Sequence, residues 1–369
     1  METKKKYFDY SLLTIVIFLL CFGLIMLYSA SSYSSQMNYL IRQAIFCVAG
    51  FIGMMVIAKI DYHWFAKVSS LAYWVAFGMM ALVLTPLGKE VKGARRWIKL
   101  PFDQSMQPSE IMKIAIIIFI PVLLCKAGKY IKEKEVLGKI FLWGAAAGIG
   151  VYALTDNLST AIIVLGIVCI MIFVAHPKTW PWIALAGGGL TVAGIGIWLL
   201  DAMMDTSDSF RLRRILVWLH PEEYLSDGGY QVMQGLYAIG SGGFFGKGLG
   251  NSAQKVVIPE AHNDMILSII CEELGVFGAI VLLLMFGMLL YRLMFIAQNA
   301  PDMYGSLMVT GIFAHIALQV IFNVAVVLNV IPTTGITLPF VSYGGTSTLF
   351  LMAEMGIALG VSNRIEFDE

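Results

Sequence analysis

The sequence predicts an all-α integral membrane protein of about ten transmembrane helices, with both termini cytoplasmic and one long extracytoplasmic loop between helices 7 and 8. Three observations carry that prediction. The 369 residues are 59% hydrophobic and 13% charged, against roughly 45–50% and about 25% in soluble domains. The apolar residues come in long blocks such as IAIIIFIPVLLC and AIVLLLMFGMLL, and about 20 of them in a row carry a helix across a bilayer. Lysines, finally, gather in alternate loops.

Taken in order, the first block follows the basic start METKKKYFDY. It is too long for a secretory leader and more spans follow, so it reads as an uncleaved helix near 11–31. Hydropathy, charge and Pro/Gly breaks place the others near 39–59, 64–86, 108–126, 138–155, 158–176, 180–200, 264–291, 304–330 and 343–362. An even number of spans puts both ends on one side. That side collects Lys4, Lys5, Lys6, Lys59, Lys67, Lys126, Lys129, Lys132, Lys134, Lys139, Lys178, Arg292 and Arg364, which makes it cytoplasmic by the positive-inside rule. Nothing suggests a separate soluble domain, so residues 1–369 read as one polytopic membrane domain with a long outer loop at about 201–263. The five cysteines lie inside apolar runs without metal-ligand spacing and read as small buried hydrophobes.

Two outer loops run against the charge rule. Lys89, Lys92, Arg95, Arg96 and Lys99 crowd one, and Arg211, Arg213 and Arg214 open the other. Such cations either touch lipid headgroups or hold a phosphate-bearing substrate, whose oxygens match the guanidinium fork. Within the long loop, FRLRRILVWLHPEEY reads as a short amphipathic helix at the interface. The glycine-rich GSGGFFGKGLG lacks the order of a nucleotide phosphate loop and faces outward, so it reads as flexible or tightly turned backbone. A net charge of +1 gives no basis for a nucleic-acid partner.

Charges inside a bilayer are costly and face protein or water. In QPSEIMKIAIII, Pro108 suits the first helical position, Glu110 the first turn, and Lys113 the same face just below the surface. His315, Gln319 and Asn323 recur every four residues as a stripe that joins helices by hydrogen bonds. Glu354 sits in the middle of the last span with no assignable partner. In IPEAHNDMILSIICEELG, a helix starting near Asp264 would carry Glu272 about 12 Å deeper. That is beyond the roughly 5–9.5 Å of a glycosidase carboxyl pair. Asp264 therefore reads as wet and reactive at the surface. Glu272 and Glu273 read as packing groups, with Lys113 at a similar depth as a partner.

GLIMLYSASS, GARRWI, QPSEIMK, DNLSTA, GGYQVMQGLYAIGSGGFFGKGLGNSAQK, IPEAHNDMILSIICEELG and IPTTGITLPFVSYGGTS follow one another along most of the chain. In these motifs and their order the chain resembles the SEDS family (shape, elongation, division and sporulation), whose members include FtsW, RodA and SpoVE. The GITLPFVSYGGTS and PEAHNDM forms are most similar to the division type, FtsW. The resemblance implies an inverting peptidoglycan glycosyltransferase that polymerises lipid II into glycan strands at the outer face of the bacterial cytoplasmic (inner) membrane.

The family's catalytic aspartate, in a P-E-x-H-T-D motif, falls on Asp264, with Asn263 in place of the usual threonine. DNLSTA departs from the common P-D-L-G-T-A form, which weakens any role for Asp156. The substrate-binding candidates that follow are Arg95, Arg96, Trp97, Glu110, Lys113, Arg211, Arg214, Glu260, His262, Ser342, Tyr343, Gly344 and Gly345. The implied partners are lipid II, undecaprenyl-pyrophosphate-linked glycan, a class B penicillin-binding transpeptidase and components of the divisome or elongasome. The activated donor needs no nucleotide, and no D-x-D motif is present. A divalent cation, Mg²⁺ or Mn²⁺, remains an open element of the chemistry with no ligands assigned. Two other readings compete with the enzyme: a lipid II flippase, whose path would use mid-membrane groups such as Glu272, and a scaffold that only recruits synthases.

Overall fold

The computed structural model describes residues 5–31, 36–91, 94–100, 104–178 and 210–367. Its membrane helices are α1 (Tyr10–Ala30), α2 (Gln36–Ile57), α3 (Tyr62–Ala81), α4 (Pro108–Ala127), α5 (Lys134–Thr155) and α6 (Leu158–Ala175). The long outer loop adds α7 (Phe210–Leu219) and α8 (Gly229–Gly242). The chain then returns through α9 (Ile266–Asn299), α10 (Met303–Val327) and α11 (Thr346–Ser362). Among the described residues eight helices are long and apolar enough to cross a membrane, and α11 is a shorter apolar one. The expected span at 180–200 lies outside the described residues.

Short polar side chains start the helices where the sequence breaks its apolar runs. Asp9 accepts from the Leu12 amide, Asp61 from His63, Asn157 from Thr160 and Asp302 from Gly305, each satisfying an amide that the first turn leaves without a partner. Pro108 opens α4 with Glu110 in its first turn, as expected.

The two ends of the chain meet on one face. Lys5–Tyr7 (β1) pairs antiparallel with Ile365–Phe367 (β5), which agrees with termini on one side. Beneath that pairing, Arg292 of α9 binds the fully buried Asp9 at 2.7 Å. We call this the inner face, following the lysine distribution, and the opposite one outer.

On the outer face the stretch expected as a loop is a small antiparallel sheet in the order β2 (Gly88–Val91), β3 (Ala94–Leu100) and β4 (Gln104–Met106). Within a fold that is otherwise helical as expected, strand pairing satisfies the backbone of this charged stretch, which has no helical periodicity.

A second correction concerns α9. It begins at Ile266, two residues after Asp264, and is broken at Gly275, where φ is +70°. The glycine-rich segment inserts its backbone into the break. Lys247 and Gly248 donate to the carbonyls of Glu272 and Glu273, and Val276 and Phe277 donate to those of Gly243 and Phe244. The helix thus loses its internal bonds without leaving buried polar groups unmet. The fit is close: a Cβ at Gly275 would stand 2.3 Å from the Phe244 oxygen. Of the two expectations for GSGGFFGKGLG, tightly turned backbone is the one observed.

The last two spans are also shorter than expected, because residues 328–345 between them are not helical. This segment presses so near α1 that a Cβ at Gly23 would lie 2.5 Å from the Phe340 oxygen. Phe340 itself adopts φ +62°. Irregular backbone at such depth requires protein partners. It has them in Ser159 on the Thr334 carbonyl, Gln319 on Thr337 and Asn323 on Ile336.

Candidate active site

Asp264 lies in the turn that leads into α9 and is half-buried. Its carboxylate accepts a 3.4 Å hydrogen bond from Gln231 of α8. Its backbone carbonyl accepts from Asn323 Nδ2 of α10 at 2.8 Å. Two residues upstream, the His262 carbonyl accepts from the Tyr343 amide at 2.9 Å. Three elements distant in sequence therefore fix this turn.

Around it stands an aromatic cluster. The His262 ring lies 4.7 Å from Tyr39 and 5.7 Å from Tyr343, and the two tyrosines are 4.9 Å apart. Burial holds the imidazole below its ordinary pKa, with Glu260 pulling the other way. Burial likewise pushes the Tyr343 phenol up, while the nearby Arg42, which donates a hydrogen bond to it, opposes the shift. Glu260 takes φ +52°. It accepts from the Asn263 side chain at 3.2 Å and, through its carbonyl, from the Asn263 amide at 2.9 Å. The asparagine that replaces the family's threonine thus ties down the turn.

The other motif residues have more varied surroundings. Tyr343, Gly344 and Gly345 share the segment that meets His262, and the Gly344 and Gly345 amides donate to Gln43 Oε1. Ser342 is buried and accepts from the Leu338 amide, closing a turn. Thr346 donates to the Ser105 carbonyl, which links this segment to β4. Arg95, Arg96 and Trp97 lie on β3, where Arg95 is exposed and faces Glu90 at 3.4 Å. Arg214 of α7 donates to the Thr333 carbonyl at 3.2 Å. Arg211 belongs to α7, but its side chain lies outside the described residues.

Below this face lies a buried ionic chain. Lys113 is 2.9 Å from Glu110 and 2.8 Å from His315 Nε2, and His315 Nδ1 is 2.8 Å from Glu354. All four side chains are buried. The lysine can only donate, so Nε2 accepts and the imidazole proton sits on Nδ1, pointing at Glu354. Glu354, without an assignable partner in the sequence, has one here. Lys113, expected on the face of Glu110 just below the surface, is buried and paired with it.

The partnership expected between Lys113 and the two inner glutamates is not formed. Glu272 instead binds Lys247 at 2.6 Å, the Ser252 hydroxyl, and the Ala253 and Gln254 amides at 3.2 Å each. Glu273 takes the Ser29 hydroxyl at 2.6 Å and the Ser252 amide at 3.3 Å. Sequence reasoning stopped short because those partners come from the inserted glycine-rich segment and from α1. It also missed Tyr39, Arg42, Gln43 and Gln231. Of these, Arg42 and Gln43, adjacent polar residues that interrupt the apolar run of α2, carried a signal that could have been read.

The family profile of the FtsW/RodA/SpoVE cell cycle proteins matches residues 10–366. Stage V sporulation protein E of Bacillus subtilis is 38% identical over 377 aligned positions, which cover 98% of this chain and 99% of that protein. A probable peptidoglycan glycosyltransferase FtsW of Trichlorobacter lovleyi is 36% identical, with 96% and 93% covered. Among solved structures, a chain described in terms of polymerization and crosslinking by a peptidoglycan synthase complex superposes with a TM-score of 0.79 at 25% identity, covering 96% of this chain and 97% of that one. Rod shape determining protein RodA of Thermus thermophilus shares the fold with a TM-score of 0.70 at 24% identity, covering 97% of each chain. With its apolar helices, its outer-face turn at Asp264 and these likenesses, this multi-pass bacterial membrane protein belongs to the FtsW/RodA/SpoVE family.

Proposed function

We propose that the protein is a peptidoglycan glycosyltransferase that polymerises lipid II at the outer face of the inner membrane, with Asp264 as general base. The observation that carries this reading is the half-buried carboxylate at the outer end of α9, on a turn held by Asn323, Tyr343 and Gln231. Relatives named as probable peptidoglycan glycosyltransferases support the activity.

In this mechanism Asp264 takes the proton of an acceptor sugar hydroxyl as its oxygen attacks the donor's anomeric carbon. A new glycosidic bond forms and the bond from that carbon to the pyrophosphate oxygen breaks. The lipid pyrophosphate leaves with the electron pair. A single displacement inverts the anomeric centre and needs one base rather than a carboxylate pair. Outer-face cations, Arg95, Arg96 and Arg42 among them, would take the phosphate charge. Lys113 and Glu110 would polarise the cavity. Among the described residues no three His, Cys, Asp or Glu side chains converge to cage a Mg²⁺ or Mn²⁺ ion. A class B penicillin-binding protein is the proposed partner, in keeping with the synthase-complex neighbour.

The test is the purified chain with lipid II and its transpeptidase partner, with and without EDTA, beside Asp264→Asn. The expected result is long glycan from the parent and polymerisation about 100- to 10,000-fold slower from the variant. Long glycan from Asp264→Asn at a rate near the parent's would defeat the assignment. Movement of labelled lipid II across liposomes without polymer would replace the enzyme with a flippase.

A further inference from the structure

Asn323 is fully buried, and its Nδ2 donates both of its hydrogens to carbonyls, one on Asp264 and one on Ile336, each at 2.8 Å. Two acceptors at that distance fix which end of the amide faces the turn. The side chain therefore staples two irregular segments to one point on α10: the turn before α9 and the non-helical segment 328–345. One helical turn away, Gln319 donates only to Thr337 of the second segment. The two amides thus share an environment and differ in one respect, contact with Asp264.

We infer that Asn323 is a positioning residue for the proposed base. It acts through the Asp264 carbonyl, rests on the reading of Asp264 given above, and touches no reacting atom. A turn residue has two soft backbone dihedrals, and the Gln231 bond to its carboxylate is long, at 3.4 Å. The anchor on its own carbonyl fixes the backbone from which the carboxylate projects. Misplacing a catalytic group by about 1 Å can cost on the order of 100-fold in rate.

The experiment compares Asn323→Leu, Gln319→Leu and Asp264→Asn, and combines the first and last, in the full-length protein with lipid II. Asn323→Leu is expected to lower kcat by about 10- to 100-fold with little change in the apparent KM for lipid II. Gln319→Leu, with a similar loss of thermal midpoint, is expected to keep kcat within about threefold of the parent. The double variant should be no slower than Asp264→Asn alone, since a residue acting only through the base has nothing left to position. Equal kcat losses in Asn323→Leu and Gln319→Leu, or a further loss in the double variant, would overturn the inference and leave a packing role. If Asn323→Leu does not fold, Asn323→Ser, which keeps one donor, takes its place, and failure of both to fold also overturns it. An Asp264→Asn protein within about threefold of the parent's kcat would instead bring down the base assignment itself, a separate outcome.

Discussion

Asp264 and the pair Glu272–Glu273 lie within ten residues of chain, yet the protein surrounds them differently. Asp264 is half-buried, on a turn, with its backbone carbonyl bound by Asn323 and its carboxylate by Gln231. Glu272 and Glu273 are fully buried and wrapped by hydroxyls, amides and Lys247. A carboxylate held by several protein donors, as Glu272 is by Lys247, Ser252, Ala253 and Gln254, has few lone pairs left for a substrate. One anchored through its backbone keeps its oxygens in place while leaving them able to take a proton. On the proposed assignment, full burial and the donors around Glu272 set it apart from Asp264 as the base.

That contrast breaks most sharply by substitution at its two ends. Asp264→Asn should lower polymerisation by about 100- to 10,000-fold while leaving the thermal midpoint in detergent nearly unchanged. Glu272→Ala should do the reverse. It leaves the Ser252 hydroxyl and two amides without an acceptor, at about 1–3 kcal/mol for each donor left buried and unmet. Lys247, more than a third exposed at 36%, turns to water. Folded yield and thermal midpoint should fall, with activity lost in proportion to folded protein. A Glu272→Ala protein that folds normally yet makes no glycan would erase the distinction.

A smaller effect is expected at the break in α9. Gly275→Ala must place a Cβ 2.3 Å from the Phe244 oxygen at a φ of +70°. The left-handed backbone alone costs about 1–2 kcal/mol for a residue with a side chain. The thermal midpoint should drop by several degrees, and protease cleavage within 243–250 should speed up as the inserted segment loosens. An unchanged cleavage rate would mean that the glycine-rich backbone is held independently of the break.

The spans were legible because blocks of apolar residues declare themselves without tertiary information. Asp264 was legible because helical rise alone separates it from the deeper glutamates. The break at Gly275 was not, since a glycine inside an otherwise helical pattern looks like a tolerated helical residue. The His315–Glu354 bond was equally hidden, because it depends on how α10 and α11 face each other. The sheet β2–β4 was read as a loop because its cations drew attention away from its strand pairing. What sequence periodicity cannot carry is the identity of partners brought from elsewhere in the chain, and here those partners decide which carboxylate is which.

The finest test lies at His262, beside the proposed base. Burial depresses its pKa below the unfolded value of about 6.5, so the unfolded chain binds a proton more readily than the folded one. The resulting stabilisation is fully present above pH 6.5 and is lost as the pH falls through the depressed folded value. Thermal midpoints measured from about pH 7.5 down to 5 should therefore decline more steeply in the parent than in His262→Gln, which carries no titrating group. The shallower slope should appear without acid-induced loss of the inner-face pairing of Asp9 with Arg292, which lies at the far end of the bundle. Parallel slopes in the two proteins would mean that the imidazole already sees solvent, and that the aromatic cluster of Tyr39, His262 and Tyr343 is looser than its ring spacings indicate.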